Sequence, residues 1–340
     1  MRVKVEHFVD LNDVAADAAG ALDPLAQASL YDTLDWFRLT AEHILPATPL
    51  HVVRARGDAG SLWLFLADRG GGVADPFGSW YTLRYAPIFA GPRDQALANA
   101  AVSSLRRRFS RISLHPLDEN DLVLLENAFK NAGWLTRNTV QTANWVAHTA
   151  GDDFAAYWAK RPGQLRNTVK RKTPKARLSI RLLDTFEPSA WADYEAVFAA
   201  SWKGGEEGSP AFLRALATRT ASLGRLRMAL AYDPTGAPLA AQFWTIDGDL
   251  ATIHKLAYVD AAKALSPGSI LSHAMFEHVL TRDRPAVIDF GTGDDPYKAD
   301  WMDEKRSLHR LDAYDPFSPR GLAGYACTRA AALVARWRTA

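Results

Sequence analysis

The 340-residue chain has a single cysteine, Cys327, which excludes an intramolecular disulfide and any zinc site built on several thiolates. No stretch approaches the ~18 consecutive apolar residues of a transmembrane helix. Charges are interleaved from Arg2 and Lys4 onward, so neither a membrane span nor a secretory leader is expected and the cytoplasm is the expected compartment. There is also no excess of one charge. With 40 basic and 38 acidic residues the net charge is +2, so the chain is not a polycation that coats nucleic acid, and any anion site must be local. His-Glu-x-x-His and Gly-x-Ser-x-Gly are both missing and the nine histidines do not fall at ligand spacing, so no metal site and no acyl-enzyme nucleophile are expected.

What is present is a soluble, globular balance, 48% apolar and 23% charged, in a chain long enough for two domains at roughly 100–200 residues each. The clearest order lies between Phe186 and Phe290. Ser189 is expected to cap a helix with Trp191, Tyr194, Val197 and Phe198 on one face. Ser209-Pro210 opens a second helix with Phe212, Leu213 and Leu216 as its apolar stripe and Gly224 as its stop. Strands over 225–232, 239–246 and 250–259, separated by Asp233-Pro234-Thr235-Gly236 and Asp247-Gly248-Asp249, form an antiparallel meander. Ser266-Pro267-Gly268-Ser269 then opens a helix that leads to a buried strand at 286–290.

A weaker copy of this order occupies the first half: a helix over 31–42, strands over 51–56, 62–68 and 81–89, a helix over 93–109, a strand at 111–114 and a helix over 118–132. The chain is therefore read as two related α/β units with mixed sheets, 1–150 and 151–315, followed by a helical tail, 316–340. In that tail Leu333, Val334 and Trp337 recur among Arg329, Arg336 and Arg338, the pattern of a helix docked on its own domain rather than on a membrane.

Three features carry chemistry. Asp289-Phe290-Gly291-Thr292-Gly293-Asp294-Asp295-Pro296-Tyr297-Lys298 follows a buried strand. Its glycines let backbone approach a ligand, and Tyr297 and Lys298 supply a proton donor and a cation. Ser266, Pro267, Gly268 and Ser269 begin a helix whose free N–H groups and dipole suit a phosphate. Residues 160–181 hold nine basic side chains and no acid; Arg166 and Lys170 lie four apart on one helical face, and Pro174 is expected to end that helix. His254, on the third meander strand, is a candidate base. A turn, a cap, a solvated face and a packed histidine explain each feature alone, but two loops at the same ends of neighbouring strands make a site.

The pairing of Ser266-Pro267-Gly268-Ser269 with Asp289-Phe290-Gly291-x-Gly293-Asp294-x-x-Tyr297-Lys298-x-x-Trp301 resembles the GNAT-like acyltransferases of the CelD/BioF2 (cellulose-biosynthesis) type, relatives of the Fem peptidyltransferases. The resemblance is strongest over about 155–305 and is joined by the Arg166 basic helix and by Ser29-Leu30-Tyr31 to Trp36. It implies a tandem GNAT-like N-acyltransferase fold and an acyl-CoA co-substrate such as acetyl-CoA. The pyrophosphate would lie at Ser266, Pro267, Gly268 and Ser269, beside Gly291, Gly293 and Asp294. It further implies direct attack by an amine, with Tyr297 as acid, Lys298 stabilising developing charge, His254 or Asp289 as base, and Arg166 and Lys170 orienting a phosphorylated acceptor. The implied acceptor is a small amine, an amino sugar or sugar nucleotide of envelope or exopolysaccharide synthesis. A Fem-like transfer from aminoacyl-tRNA and a non-catalytic assembly role are the alternatives. The first unit lacks the Gly-x-Gly-Asp-x-x-Tyr-Lys segment after its 111–114 strand, which leaves it a scaffolding and acceptor-recognition role.

Overall fold

Glycines and aspartates at the turns of the meander, and largely apolar residues between them, produce three antiparallel strands in the computed structural model, which describes residues 3–201 and 208–339, with backbone only for 333–339. The chain splits into two compact units, 1–142 with 307–340, and 143–306. The side chains of Leu333, Val334, Arg336, Trp337 and Arg338 lie outside the described residues.

The first unit runs β1 (Lys4–Phe8), α1 (Leu11–Ala18), α2 (Leu34–His43), β2 (Leu50–Arg56), β3 (Ser61–Gly70), β4 (Val73–Pro76), β5 (Ile88–Ala90), α3 (Gln95–Leu105), β6 (Arg111–Leu117) and α4 (Glu119–Asn131). β7 (Leu135–His148) begins in this unit and ends in the second. The second unit continues with α5 (Phe154–Ala159), α6 (Gly163–Ala176), β8 (Ser179–Leu183), α7 (Pro188–Ala199), α8 (Pro210–Ser222), β9 (Leu226–Tyr232), β10 (Pro238–Asp247), β11 (Leu250–Tyr258), α9 (Pro267–Arg282) and β12 (Val287–Thr292). β13 (Glu304–Tyr314) leads back into the first unit, which ends with α10 (Pro319–Thr339).

The expected repeat is visible in the pairing. β1, β2, β3 and β4 are antiparallel neighbours and β4 pairs β6 in parallel; β8, β9, β10 and β11 are antiparallel neighbours and β11 pairs β12 in parallel. In each unit two helices separate the first two strands and one helix makes the crossover to the parallel strand, the connection that parallel pairing requires. Each unit is completed by a strand from elsewhere in the chain: β13 lies on β6, with Leu311 opposite Leu114, and the end of β7 lies on β12, with Ala147 opposite Ile288. The expected boundaries at 150 and 315 thus give way to a discontinuous first unit, because β13 and the α10 tail belong with it.

Each unit buries its own core. Leu62, Leu64 and Leu66 of β3 pack with Leu97, Val102 and Leu105 of α3 and with Leu125 and Phe129 of α4. In the second unit Trp244, Ile253 and Ile288 pack with Met275, Phe276 and Val279 of α9 and with Leu165 and Val169 of α6. Among the described residues no helix is long and apolar enough to cross a membrane.

Several local expectations change. Glu187, not Ser189, is the N-cap of α7, because Pro188, which lacks an N–H, occupies the first helical position. Pro174 does not end α6: it sits in the last turn, where the ring removes a single backbone bond, and the helix continues to Ala176. The strand expected over 81–89 reduces to β5. Tyr81 and Tyr85 are buried in an irregular loop whose Arg84 pairs with Asp32 and Asp121, each at 3.0 Å. Ser209 caps α8 as expected, its hydroxyl accepting the Phe212 N–H at 3.1 Å. Ser209→Ala is expected to lower unfolding free energy by about 1 kcal/mol, measured by urea denaturation.

Candidate functional site

β11 and β12 are paired only at Leu250–Val287, Ala251–Ile288 and Thr252–Asp289, although β11 runs on to Tyr258. Beyond Thr252 the two strands part, and β11 makes no further pairing with β12 among the described residues. Just past the fork the register between β10 and β11 shifts: Phe243 faces Lys255 and Trp244 faces Ile253, so His254 is the extra residue of a bulge that bends β11.

A cavity of about 260 Å³ opens beside this fork, lined by Leu165 of α6, Leu256 and Tyr258 of β11, Gly268, Ser269 and Ser272 of α9, and Tyr297, Asp300 and Trp301. The start of α9 forms one wall. Ser266 adopts a left-handed conformation (φ 55°, ψ 46°) and makes no side-chain cap, so the first-turn N–H groups of Gly268 and Ser269 have no capping side chain. Gly268 is favoured by contact rather than by φ: a Cβ there would lie 3.1 Å from the Tyr258 ring, which would have to give by a few tenths of an ångström. The counterpart helix of the first unit, α3, is closed by its own Asp94, which accepts the Ala96 N–H at 2.7 Å and brings negative charge to the place an anion would take. Among the described residues only the second unit thus presents an open crossover-helix start.

The segment after β12 is folded on itself. Asp289 Oδ1 accepts from Asn144 Nδ2 at 2.6 Å and from the Gly291 N–H at 2.7 Å. Gly291 (φ 70°) and Gly293 (φ 107°) supply the left-handed turns. Lys298 is buried, donates to the Thr292 carbonyl at 2.6 Å and lies 3.7 Å from Asp295. Burial pulls its ammonium below the usual lysine range, against the opposing pull of Asp295 and Asp289. Asp294 is exposed and paired to Lys305 at 2.6 Å, which holds its carboxyl below the usual range. Tyr297 packs edge-on against Phe290 (5.6 Å) and remains 39% exposed toward the cavity. Burial, then the charge of Asp295, raises its phenol, which stays protonated at neutral pH. Asp289 is raised by burial, an effect that Gly291, Asn144 and Lys298 only partly offset.

The sequence candidates therefore divide. Gly268, Ser269 and Tyr297 line the cavity, with Ser266 and Pro267 at its edge. Asp289 is opposite Thr252, the last pair before the fork. Lys298, Gly291 and Gly293 shape the loop, and Asp294 is tied to Lys305. His254 faces the other side of the sheet: it stacks on Phe243 (5.2 Å), which packs on Trp191 and Tyr194 of α7, and it bonds Thr245 Oγ1 at 2.9 Å. Burial pushes its imidazole down to about 3, far from the range of an efficient base at neutral pH. Arg166 and Lys170 are exposed on α6, whose Leu165 and Val169 are buried. Other members of the basic run are structural: Arg161 is buried and paired with Asp303, Lys160 pairs with Asp152 at 2.6 Å, and Lys172 donates to the Ala264 carbonyl at 2.7 Å, just ahead of α9.

Sequence reasoning missed Asn144, whose distance of 145 residues from Asp289 left no local signal. It also missed Tyr157, which donates to the Trp301 carbonyl at 2.7 Å and fixes one cavity wall. Among the described residues no group of three or more His, Cys, Asp or Glu side chains is placed to hold a metal ion.

Residues 163–299 match the family model described as Acetyltransferase (GNAT) domain. No curated protein matches the sequence. Solved structures with a similar fold include FemX (8% identity, 82% of this chain and 94% of that one, TM-score 0.60). A second is the C-terminal domain (DUF2156) of a protein provisionally assigned as a lysylphosphatidylglycerol synthetase of Agrobacterium fabrum (14% identity, 92% and 96%, TM-score 0.59). A third is a tandem GNAT protein from the clavulanic acid biosynthesis pathway (16% identity, 93% and 100%, TM-score 0.51). The chain has a tandem GNAT-like α/β fold, and its second unit carries an acyltransferase domain of the GNAT type.

Proposed function

We propose that this acyltransferase domain takes an acyl group from acyl-CoA and delivers it directly to a primary amine. The observation that carries the reading is the uncapped start of α9 opening onto a cavity at the β11–β12 fork. The first-turn N–H groups and the positive end of the helix dipole receive the donor pyrophosphate, and Leu256, Tyr258 and Trp301 flank the arm that leads to the thioester. Backbone N–H groups of β11 at the fork hold the oxyanion.

Asp289 is the base. Its Oδ1 is occupied by Asn144 and Gly291, while Oδ2 has no hydrogen-bond partner among the described residues. The amine nitrogen forms the new C–N bond and gives its proton to Asp289; the C–S bond breaks and the thiolate takes the Tyr297 proton. Lys298 acts through the loop, by anchoring Thr292 and Asp295. Arg166 and Lys170 offer an exposed basic face to a phosphorylated acceptor, such as a phosphorylated amino sugar of envelope or exopolysaccharide synthesis, the acceptor class that the CelD/BioF2 resemblance implies. The first unit, with its Asp94-capped helix, serves acceptor recognition.

Release of CoA thiol from acetyl-CoA, followed with glucosamine, glucosamine 6-phosphate and ethanolamine as acceptors, tests the reading; no amine-dependent release would count against it. In this assay Tyr297→Phe is expected to lower kcat about 10²-fold, the low end for a positioned acid, without changing donor affinity, since only the transferable proton is lost.

The FemX-like fold and the basic α6 also favour a second reading, transfer from aminoacyl-tRNA. The two differ in salt dependence: tRNA binding falls by orders of magnitude between low and physiological salt, whereas acyl-CoA, with few phosphates, loses far less.

A further inference from the structure

The cavity has an unfinished hydrogen bond behind one wall. Gln242 of β10 is buried, at 1% exposure. Its Oε1 accepts from the Trp244 indole N–H at 3.0 Å. An indole nitrogen only donates, so this bond fixes the amide orientation and turns Nε2 into the remaining donor. Nε2 has no partner among the described residues. A buried amide donor left without an acceptor costs on the order of 1–3 kcal/mol, so its retention calls for an acceptor that arrives from outside the fold.

The sheet register says where that acceptor would come from. Gln242 is directly opposite Leu256, and Ala240 is opposite Tyr258. Leu256 and Tyr258 line the cavity, and side chains directly opposite in an antiparallel pair share a face. Gln242 therefore lies one side chain away from the cavity, on the α9 face. Its partner on β9 is Ala229, and Ala240 beside it pairs Ala231, so on those sides of the amide the neighbouring side chains of that face are small, while Trp244 and Leu256 flank it on the others. The bulge at His254, where the fork opens, is two residues from Leu256 along β11.

We infer that Gln242 is a specificity-determining residue whose Nε2 donates to an oxygen carried on the acyl group, beyond the thioester carbonyl, so that the donors this site takes are hydroxyacyl or carboxyacyl thioesters rather than plain alkyl ones. The inference rests on the acyl-CoA reading of the same cavity. A site built to hydrogen-bond a polar group rejects the analogue that lacks it, because its own buried group is then left unpaired.

The test compares kcat/KM of the 340-residue wild-type protein for 3-hydroxybutyryl-CoA and succinyl-CoA with that for butyryl-CoA, together with calorimetric affinities for the three donors, which need no variant. At least one oxygenated donor is expected to exceed butyryl-CoA by about 10-fold or more. In Gln242→Leu that ratio is expected to fall to about one while butyryl transfer continues. Equal use of all three donors by the wild type, or a preference that survives in Gln242→Leu, overturns the inference while leaving the acyl-CoA reading intact. Binding of none of the three by the folded protein overturns the acyl-CoA reading itself.

Discussion

Asp289→Asn is expected to lower turnover by about 10²–10⁴-fold, the usual contribution of a positioned acid or base, while donor affinity stays within about twofold. The asparagine carbonyl can still accept from Asn144 Nδ2 and the Gly291 N–H, so the loop keeps its shape and only the proton acceptor is lost. Burial raises the Asp289 carboxyl, so the acid limb of the wild-type pH–rate profile should lie above the usual carboxylate value of about 4, and it should vanish in the variant. The sign for stability is the reverse of the common carboxylate case. A group whose folded pKa is raised favours the fold only while protonated and loses that contribution as pH rises through its folded pKa. Above its raised folded pKa Asp289 therefore opposes folding, and there Asp289→Asn should leave Tm unchanged or higher. A lower Tm together with the lost activity would reassign Asp289 to structure.

Gly268→Asp should weaken acyl-CoA binding by at least ~100-fold. Two causes act in the same direction: the new Cβ meets the Tyr258 ring at 3.1 Å, and a carboxylate in the first turn occupies the anion's place at the positive end of the helix. Because a displaced Tyr258 could disturb the wall as well, Ser269→Asp isolates the charge; Ser269 is only half-buried at the cavity edge, and its variant should show most of the same loss. Asp94→Asn, in the first unit, removes the cap carboxylate of α3 and should leave acyl-CoA affinity unaltered. Isothermal titration of the three variants separates these expectations, and wild-type affinity in Ser269→Asp would remove the helix start from the donor site.

The second unit was far more legible than the first, for physical reasons. Its meander turns carry Asp233-Pro234-Thr235-Gly236 and Asp247-Gly248-Asp249, and its helices open on Ser209-Pro210 and Ser266-Pro267, signals that act locally and survive any tertiary context. β7 and β13 escaped notice because polar side chains such as Thr136, Asn138, Arg306 and Arg310 dominate much of their length. Their place is set by partners far away in sequence, which no local pattern reports. The loop over 81–87 misled for the opposite reason: Tyr81, Tyr85 and Ala86 are buried as a strand's residues would be, but around the Arg84 ion cluster and without a ladder. In the site, the open helix start and the Gly291–Lys298 loop were readable from glycine and capping chemistry. The inward burial of Lys298 and the packing of His254 on Phe243 follow instead from the folded loop and from the contacts of the opposite sheet face, neither of which the residues announce.

The most direct measurement is a calorimetric titration of the purified 340-residue protein with acetyl-CoA at physiological salt. Saturable binding at one site per chain, abolished in Gly268→Asp and retained in Asp289→Asn, is the predicted result. A folded protein that takes up no acetyl-CoA, or one that binds it equally well in Gly268→Asp, would contradict a donor site at the start of α9.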